Sequence, residues 1–329
     1  MRDELVNACL HALHMNLGLA KRERVLIVTD QRKRSIGERF QAAALTLTDN
    51  VDLVEIPIAA FNGAEPPAVV AEQMKQSEVV LLPLSKSISW TRARMNATQE
   101  GARIASMPGI TGEIILRTFT ADYEVVRRHV NGFCNRLDEA SRVRVTSELG
   151  TEFFLGIKGR KGRGRRGGIY TEPGAWGNLP CGEAFIAPLE GTSRGRYVVD
   201  GAQGGVGALE APITVTVEEG RALKLEGGHE AKLLRELLKS VENEDAFNIA
   251  EFGIGCNDTA SASGITLEAE KARGTCHIAL GSNHLFGGTV KVNVHLDGVI
   301  TTPSIWFDDI QVVDCGRWVI DLETGREGK

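Results

Sequence analysis

From residue 24 the chain reads RVLIVTD, an apolar run closed by a polar turn, as in a parallel strand buried on both faces. Before it, residues 1–20 carry apolar side chains at helical spacing. After it, SIGERFQAAALTL (35–47) predicts a helix with Ser35 as N-cap and Glu38 three residues on. The rhythm continues with a strand in VDLVEIPI (51–58), a Pro-led helix in PPAVVAEQMKQ (66–76) and a strand in SEVVLLPLS (77–85). TRARMNATQEGA then runs on as helix into RIASMPG. This alternation predicts a doubly wound, flavodoxin-like α/β domain over residues 1–142. Such domains bind ligands beyond the carboxyl ends of their strands. The first strand-to-helix turn, TDQRKRSIG, has neither GxGxxG nor GxxxxGK[ST], so the domain reads as scaffold or as a wall of the site, without a nucleotide cofactor.

Residues 143–329 change character and predict a β-rich α+β domain, with one clear helix in GHEAKLLRELLKSVEN (228–243). GTVKVNVHLDGVITTP (287–302) alternates as a strand, with Val290, Val292, Val294 and Leu296 on one face. Lys291, Asn293, His295 and Asp297 take the other, so His295 and Asp297 stand side by side, roughly 6–7 Å apart at the backbone. GTCHIALG (274–281) places His277 between Thr275 and Ala279 on one strand face. Glu251 lies in the apolar strand NIAEFGIG (248–255), and Glu183 precedes Phe185 and Ile186 in LPCGEAFIAP (179–188). An unpaired charge in an apolar strand loses several kcal/mol of hydration, so it must protonate, pair or coordinate. Each carboxylate taken alone could be answered by an Arg, a Lys or a His–Asp hydrogen bond. Two glutamates, two histidines and an aspartate together point to a divalent metal, and five mixed ligands suit two neighbouring ions sharing a carboxylate.

Composition narrows the partners. The 329 residues carry a net charge of −5, which disfavours a generic nucleic-acid binder. The exception is KGRKGRGRR (158–166), six cations in nine residues without interleaved aromatics, read as a solvated hairpin loop or a clamp for an anionic substrate group. No run approaches the roughly 18–20 apolar residues of a membrane span, and MRDELVNACLHALHMNL is amphipathic rather than signal-like. A cytoplasmic protein is expected, with six reduced cysteines and no CxxC pair. Cys256 and Cys276 lie near the candidate cluster, as buried thiols or as nucleophiles.

WGNLPCGEAFIAPLEGT resembles the GNxPxGEVFxAP segment of the aminopeptidase T/aminopeptidase S family, and AEFGIG, EKARGTCHIALG and HLD follow in that family's order. The resemblance runs from about residue 145 to 325 and implies an aminopeptidase-like hydrolase acting on an amino-terminal peptide bond or small amide. It further implies a homodimer and a cocatalytic metal pair (zinc, cobalt or manganese) on Glu183, Glu251, His277, His295 and Asp297. Glu183 or Glu251 would be the base, with Glu190 as an outer partner. The family's tyrosine seven residues beyond the GTxHIA histidine is here His284, which could act as an acid–base group. The chain is similar more distantly to 2,5-dihydroxypyridine dioxygenases, which hold one iron by two His and an Asp. That pattern matches at HLD but has His where this chain has Glu251, and it has no counterpart of His277. The alternative it implies is a mononuclear iron enzyme cleaving a small heteroaromatic ring.

Overall fold

A computed structural model describes residues 3–262 and 264–322. In chain order the first elements are α1 (Glu4–Met15), β1 (Val25–Asp30), α2 (Arg34–Ala44), β2 (Val51–Ile56), α3 (Ala68–Lys75), β3 (Val79–Leu82), α4 (Arg92–Gln99), β4 (Arg103–Ser106) and α5 (Gly112–Thr118). Next come α6 (Tyr123–Glu139), β5 (Arg142–Thr146), β6 (Glu152–Gly156), β7 (Trp176–Asn178), β8 (Glu183–Ile186), β9 (Arg194–Val199), β10 (Ala202–Gln203) and β11 (Gly207–Ala208). The remainder are β12 (Ile213–Glu218), β13 (Arg221–Glu226), α7 (His229–Ser240), β14 (Ile249–Gly255), α8 (Thr266–Ala269), β15 (Cys276–Gly281), β16 (His295–Ile300), β17 (Ser304–Phe307), β18 (Ile310–Asp314) and β19 (Arg317–Trp318).

The chain divides into two compact units, 1–124 with 168–181 and 125–167 with 182–329. A single cut at 142 therefore misplaces two segments. Most of α6 belongs with the second unit, and 168–181 returns to the first because β7 pairs in parallel with β4. The first unit holds a parallel sheet of order β2-β1-β3-β4-β7, the expected doubly wound α/β architecture. Its apolar strands pack Leu26, Val28, Val80, Leu82 and Ile104 against Val70 and Met74 of α3 and Ala93 of α4. Two local expectations change. Helix α2 is capped at Lys33 with no side-chain bond, so Ser35 lies inside its first turn. Helix α4 stops at Gln99, Gly101 turns through φ +100, and Arg103–Ser106 is a buried strand rather than helix.

The second unit carries two antiparallel sheets, of order β13-β12-β9-β6-β5-β17-β18-β19 and β11-β10-β16-β15-β14-β8. The six-stranded sheet positions every residue of the candidate cluster. Register places Gly255 opposite Glu183, Gly253 opposite both Phe185 and His277, Ala279 opposite Glu251 and Asp297, and Gly281 opposite His295. Directly opposed residues share a face. Between the polar side chains that face therefore carries only glycine and alanine on its two central strands, and this leaves the space a site needs. Gly253 is the tightest case, since a Cβ there would sit 2.2 Å from His277 Cε1.

The strand expected over 287–302 begins only at His295. Residues 287–294 instead fold back as a loop, whose Val290 carbonyl accepts from the N–H groups of Asn283 and His284 while Val294 accepts from Ser282. His295 and Asp297 still share a face. No helix among the described residues is long and apolar enough to cross a membrane.

Candidate metal centre

Two groups of donor atoms, each gathered within 4.8 Å, form on this face: Glu183 with Glu251 and His277, and Glu251 with His295 and Asp297. Glu251 belongs to both. Its Oε1 is 3.1 Å from His277 Nε2, and its Oε2 is 3.5 Å from His295 Nε2. Glu183 Oε2 lies 3.5 Å from the same His277 nitrogen, and Asp297 Oδ1 lies 3.3 Å from His295 Nε2.

Hydrogen bonding fixes what these atoms can do. His295 Nδ1 is 2.8 Å from the Ser282 carbonyl, which can only accept, so Nδ1 carries the proton and donates. In the neutral ring Nε2 is then a lone pair, aimed at two carboxylates that also present lone pairs. Asp297 Oδ1 is buried and makes no hydrogen bond despite its nearness to that nitrogen, and buried His277 Nδ1 likewise has no partner. Facing lone pairs need a shared cation, either a proton or a metal.

Without metal, protons fill the role. Burial alone would lower His277, but the Glu251 hydrogen bond with the Glu183 and Asp297 charges lifts it to about 9. Burial opposes His295 too, yet Asp297 and Glu251 lift it to about 10. Asp297 is held well below the usual carboxylate range, because the His295 and His277 charges and Lys271 outweigh its burial. Burial raises Glu251, against the His277 hydrogen bond. A set of three carboxylates and two imidazoles, Glu251 and His277 buried and Glu183, His295 and Asp297 half-buried, presents each Nε2 to carboxylate oxygen and fits a divalent ion that replaces those protons.

Other candidates fall elsewhere. His284, partly exposed, lies outside both groups, its Nδ1 2.9 Å from Ser282 Oγ. Burial and Lys291 hold it below the usual histidine range. Glu190 touches neither histidine. It receives Arg160 at 2.5 Å, Asn283 Nδ2 at 3.1 Å and the Thr289 N–H at 2.8 Å, thereby anchoring the 283–290 loop. Cys256 and Cys276 are both buried, and burial pushes the Cys276 thiol well above its ordinary value, which disfavours the reactive thiolate.

One residue was not legible beforehand. Lys271, fully buried, places Nζ 2.7 Å from Glu183 Oε1 and contacts the neighbouring Glu270. Burial pushes the Glu270 carboxyl up to about 8, against the pull of the Lys271 ammonium. The adjacent Glu–Lys pair inside EAEKARG was the available signal, but such pairs are ordinary on exposed helices.

A sequence profile of the 2,5-dihydroxypyridine 5,6-dioxygenases matches residues 4–320, nearly the whole chain. The chain belongs to the 2,5-dihydroxypyridine 5,6-dioxygenase family. A 2,5-dihydroxypyridine 5,6-dioxygenase of Pseudomonas putida KT2440 is 28% identical over 205 residues, a stretch covering 57% of this chain and 57% of that protein. The chain thus spans a little over half the length of that curated relative. The solved structure of a 2,5-dihydroxypyridine dioxygenase from the same strain superposes with TM-score 0.79 at 20% identity, covering 96% of this chain and 97% of the other. AmpT from Thermus thermophilus superposes with TM-score 0.70 at 17% identity, covering 96% and 99%. At those identities both structures speak for the fold alone. The order of the two resemblances is thereby reversed: the dioxygenase family is the family shown, and the aminopeptidase likeness is one of architecture.

Proposed function

We propose that the protein is a metal-dependent enzyme that opens the ring of a small hydroxylated nitrogen heteroaromatic with dioxygen, at a metal held by Glu251, His295 and Asp297. The observation that carries the metal is His295, whose Nδ1 donates to the Ser282 carbonyl, so that in the neutral ring Nε2 is a lone pair set between two carboxylates. Family membership over residues 4–320 supports the reaction class. A bound ferrous ion would supply the redox chemistry that couples dioxygen to the ring. The chain's own residues then divide the remaining work. Ser282 orients His295, and Lys271 occupies one oxygen of Glu183. His277, which Glu183 and Glu251 hold protonated while it is unligated, would serve as a proton donor to oxygen on the ring. Phe286, stacked edge-on to His295 at 5.6 Å, keeps water from that side.

One feature favours a second reading, a two-metal hydrolase of a peptide or small amide. Glu251 offers a different oxygen to each histidine, as a carboxylate bridging two ions would. The experiment loads metal-free protein with ferrous iron under argon and follows oxygen uptake with a panel of hydroxypyridines. Zinc-, cobalt- and manganese-loaded protein is assayed in parallel on dipeptides and aminoacyl amides. Oxygen uptake with ring-opened product supports the first reading, whereas metal-dependent amide hydrolysis without it replaces that reading with the second. A homodimer is part of the proposal, and a light-scattering mass of one 35.6 kDa chain rejects it.

A further inference from the structure

The basic loop 158–166 has so far no role. Three of its cations are engaged: Arg160 with Glu190, and Lys161 and Arg165 with Asp138. Arg163 differs. Its backbone forms an antiparallel bridge with Phe185, donating at 2.7 Å and accepting at 3.2 Å, which extends the sheet beyond the edge strand β8. Opposed residues share a face, so the Arg163 side chain leaves the sheet on the side of Phe185 and Glu183, that of the metal donors. Its guanidinium lies beside the 283–290 loop, where a Cβ on Gly287 would be 3.9 Å from Nη2. Among the described residues it has no acidic partner, although it is the loop cation placed on this face.

Between Arg163 and the donors stands an aromatic wall. Phe185 and Phe286 meet edge-on with centroids 5.6 Å apart, and Phe286 meets His295 in the same way at 5.6 Å. Arg163 is exposed, and at the end of such a wall its guanidinium fork has the geometry to receive a carboxylate while the wall accepts a flat ring.

We infer that the substrate is an aromatic acid: a flat ring lying along Phe185 and Phe286 toward the metal donors, with an anionic substituent held by Arg163. This rests on the site proposed above and adds the charge of the substrate, which the metal donors do not specify. Glu190, by tying Arg160 to Asn283 and Thr289, fixes the basic loop against the 283–290 loop and so holds both halves of the receptor together.

The test is binding rather than turnover, so it separates from the test of the reaction. Full-length zinc-loaded protein is titrated by calorimetry with 3-hydroxybenzoate and with 3-hydroxybenzamide, which share shape and differ in charge. Binding of the acid roughly tenfold or more tighter than the amide is expected. Arg163→Met should erase that preference with amide binding unchanged, Arg163→Lys should keep part of it, and Phe286→Ala should weaken both ligands. Equal binding of acid and amide, no binding of either, or a preference that survives Arg163→Met overturns the inference. Loss of the oxygen-uptake activity with the preference intact would overturn the reaction class and leave the aromatic acid in place.

Discussion

Gly253→Ala places a methyl group where His277 now lies. The new Cβ would sit 2.2 Å from Cε1 and 2.3 Å from Nε2 of a ring that is fully buried. Ordinary carbon–carbon contact begins at about 3.5 Å, so the ring must retreat by more than about 1 Å. The retreat breaks the 3.1 Å contact with Glu251 and disturbs the 3.5 Å approach to Glu183. Overpacking of this kind costs roughly 1–3 kcal/mol, which in a unit of this size lowers the melting temperature by roughly 2–12 °C. Any ion held by Glu183, Glu251 and His277 would feel a larger effect. Displacing a ligand or its support costs about 10–100-fold in affinity, and here the loss is confined to the group of Glu183, Glu251 and His277. Metal content by mass spectrometry and calorimetric titration should show that group weakened while the group of Glu251, His295 and Asp297 still loads. Wild-type melting temperature and wild-type metal binding in Gly253→Ala would refute the argument that glycine makes room for the ring.

Further tests reach the other members. His295→Ala and Asp297→Ala should each reduce metal affinity at their group by about 100-fold or more, measured by competition with a chelating dye, with the circular dichroism spectrum unchanged. Lys271→Met leaves Glu183 and Glu270 without their buried cation, and chemical denaturation should show a loss of roughly 3–5 kcal/mol. Stability should also depend on pH in opposite senses with and without metal. His277 and His295 are raised to about 9 and about 10 from an unfolded value near 6.5. Their contribution to the metal-free protein is therefore complete below about pH 6.5 and is lost as pH rises through 9–10. Metal affinity rises over the same interval as the protons leave, so scanning calorimetry should find the metal-free form weakening and the stabilisation by metal growing.

Much of the parallel sheet could be read from the sequence, because a strand buried on both faces writes itself as an uninterrupted apolar run, as RVLIVTD does. Glu183, Glu251, His277, His295 and Asp297 stand out in the sequence for the complementary reason, that charge in such runs must be answered, and the six-stranded sheet brings them onto one face. Segment 168–181 was not legible as part of the first unit, since a three-residue strand that pairs with β4 across the intervening α6, β5 and β6 leaves no local periodicity. The loop 287–294 alternates like a strand and is not one, because its carbonyls bond to residues 282–284 and, among the described residues, it pairs in no ladder. Lys271 escaped because its partner Glu183 is 88 positions away, and burial cannot be read from one lysine.

The charge of the cluster bears on how many ions it takes. Burial raises the Glu270 carboxyl to about 8, which keeps it mostly neutral near pH 7, and an imidazole that ligates metal is neutral as well. Were all three carboxylates of the two donor groups ionised and both imidazoles neutral, Lys271 would leave two negative charges among these side chains. One divalent ion neutralises that remainder. A second would leave the face with two positive charges, to be met by a bridging hydroxide and an anionic ligand before the burial becomes tolerable. Lys271 thus stands, in charge, for part of a second ion, and it does so on the Glu183 side, away from His295 and Asp297. Under that charge count a single ion is favoured, whereas the shared Glu251 alone would favour two. If both ions bind together, the partner that balances them must be an anion, and Arg163, the receptor proposed above, leaves the sheet on the same face as the donors.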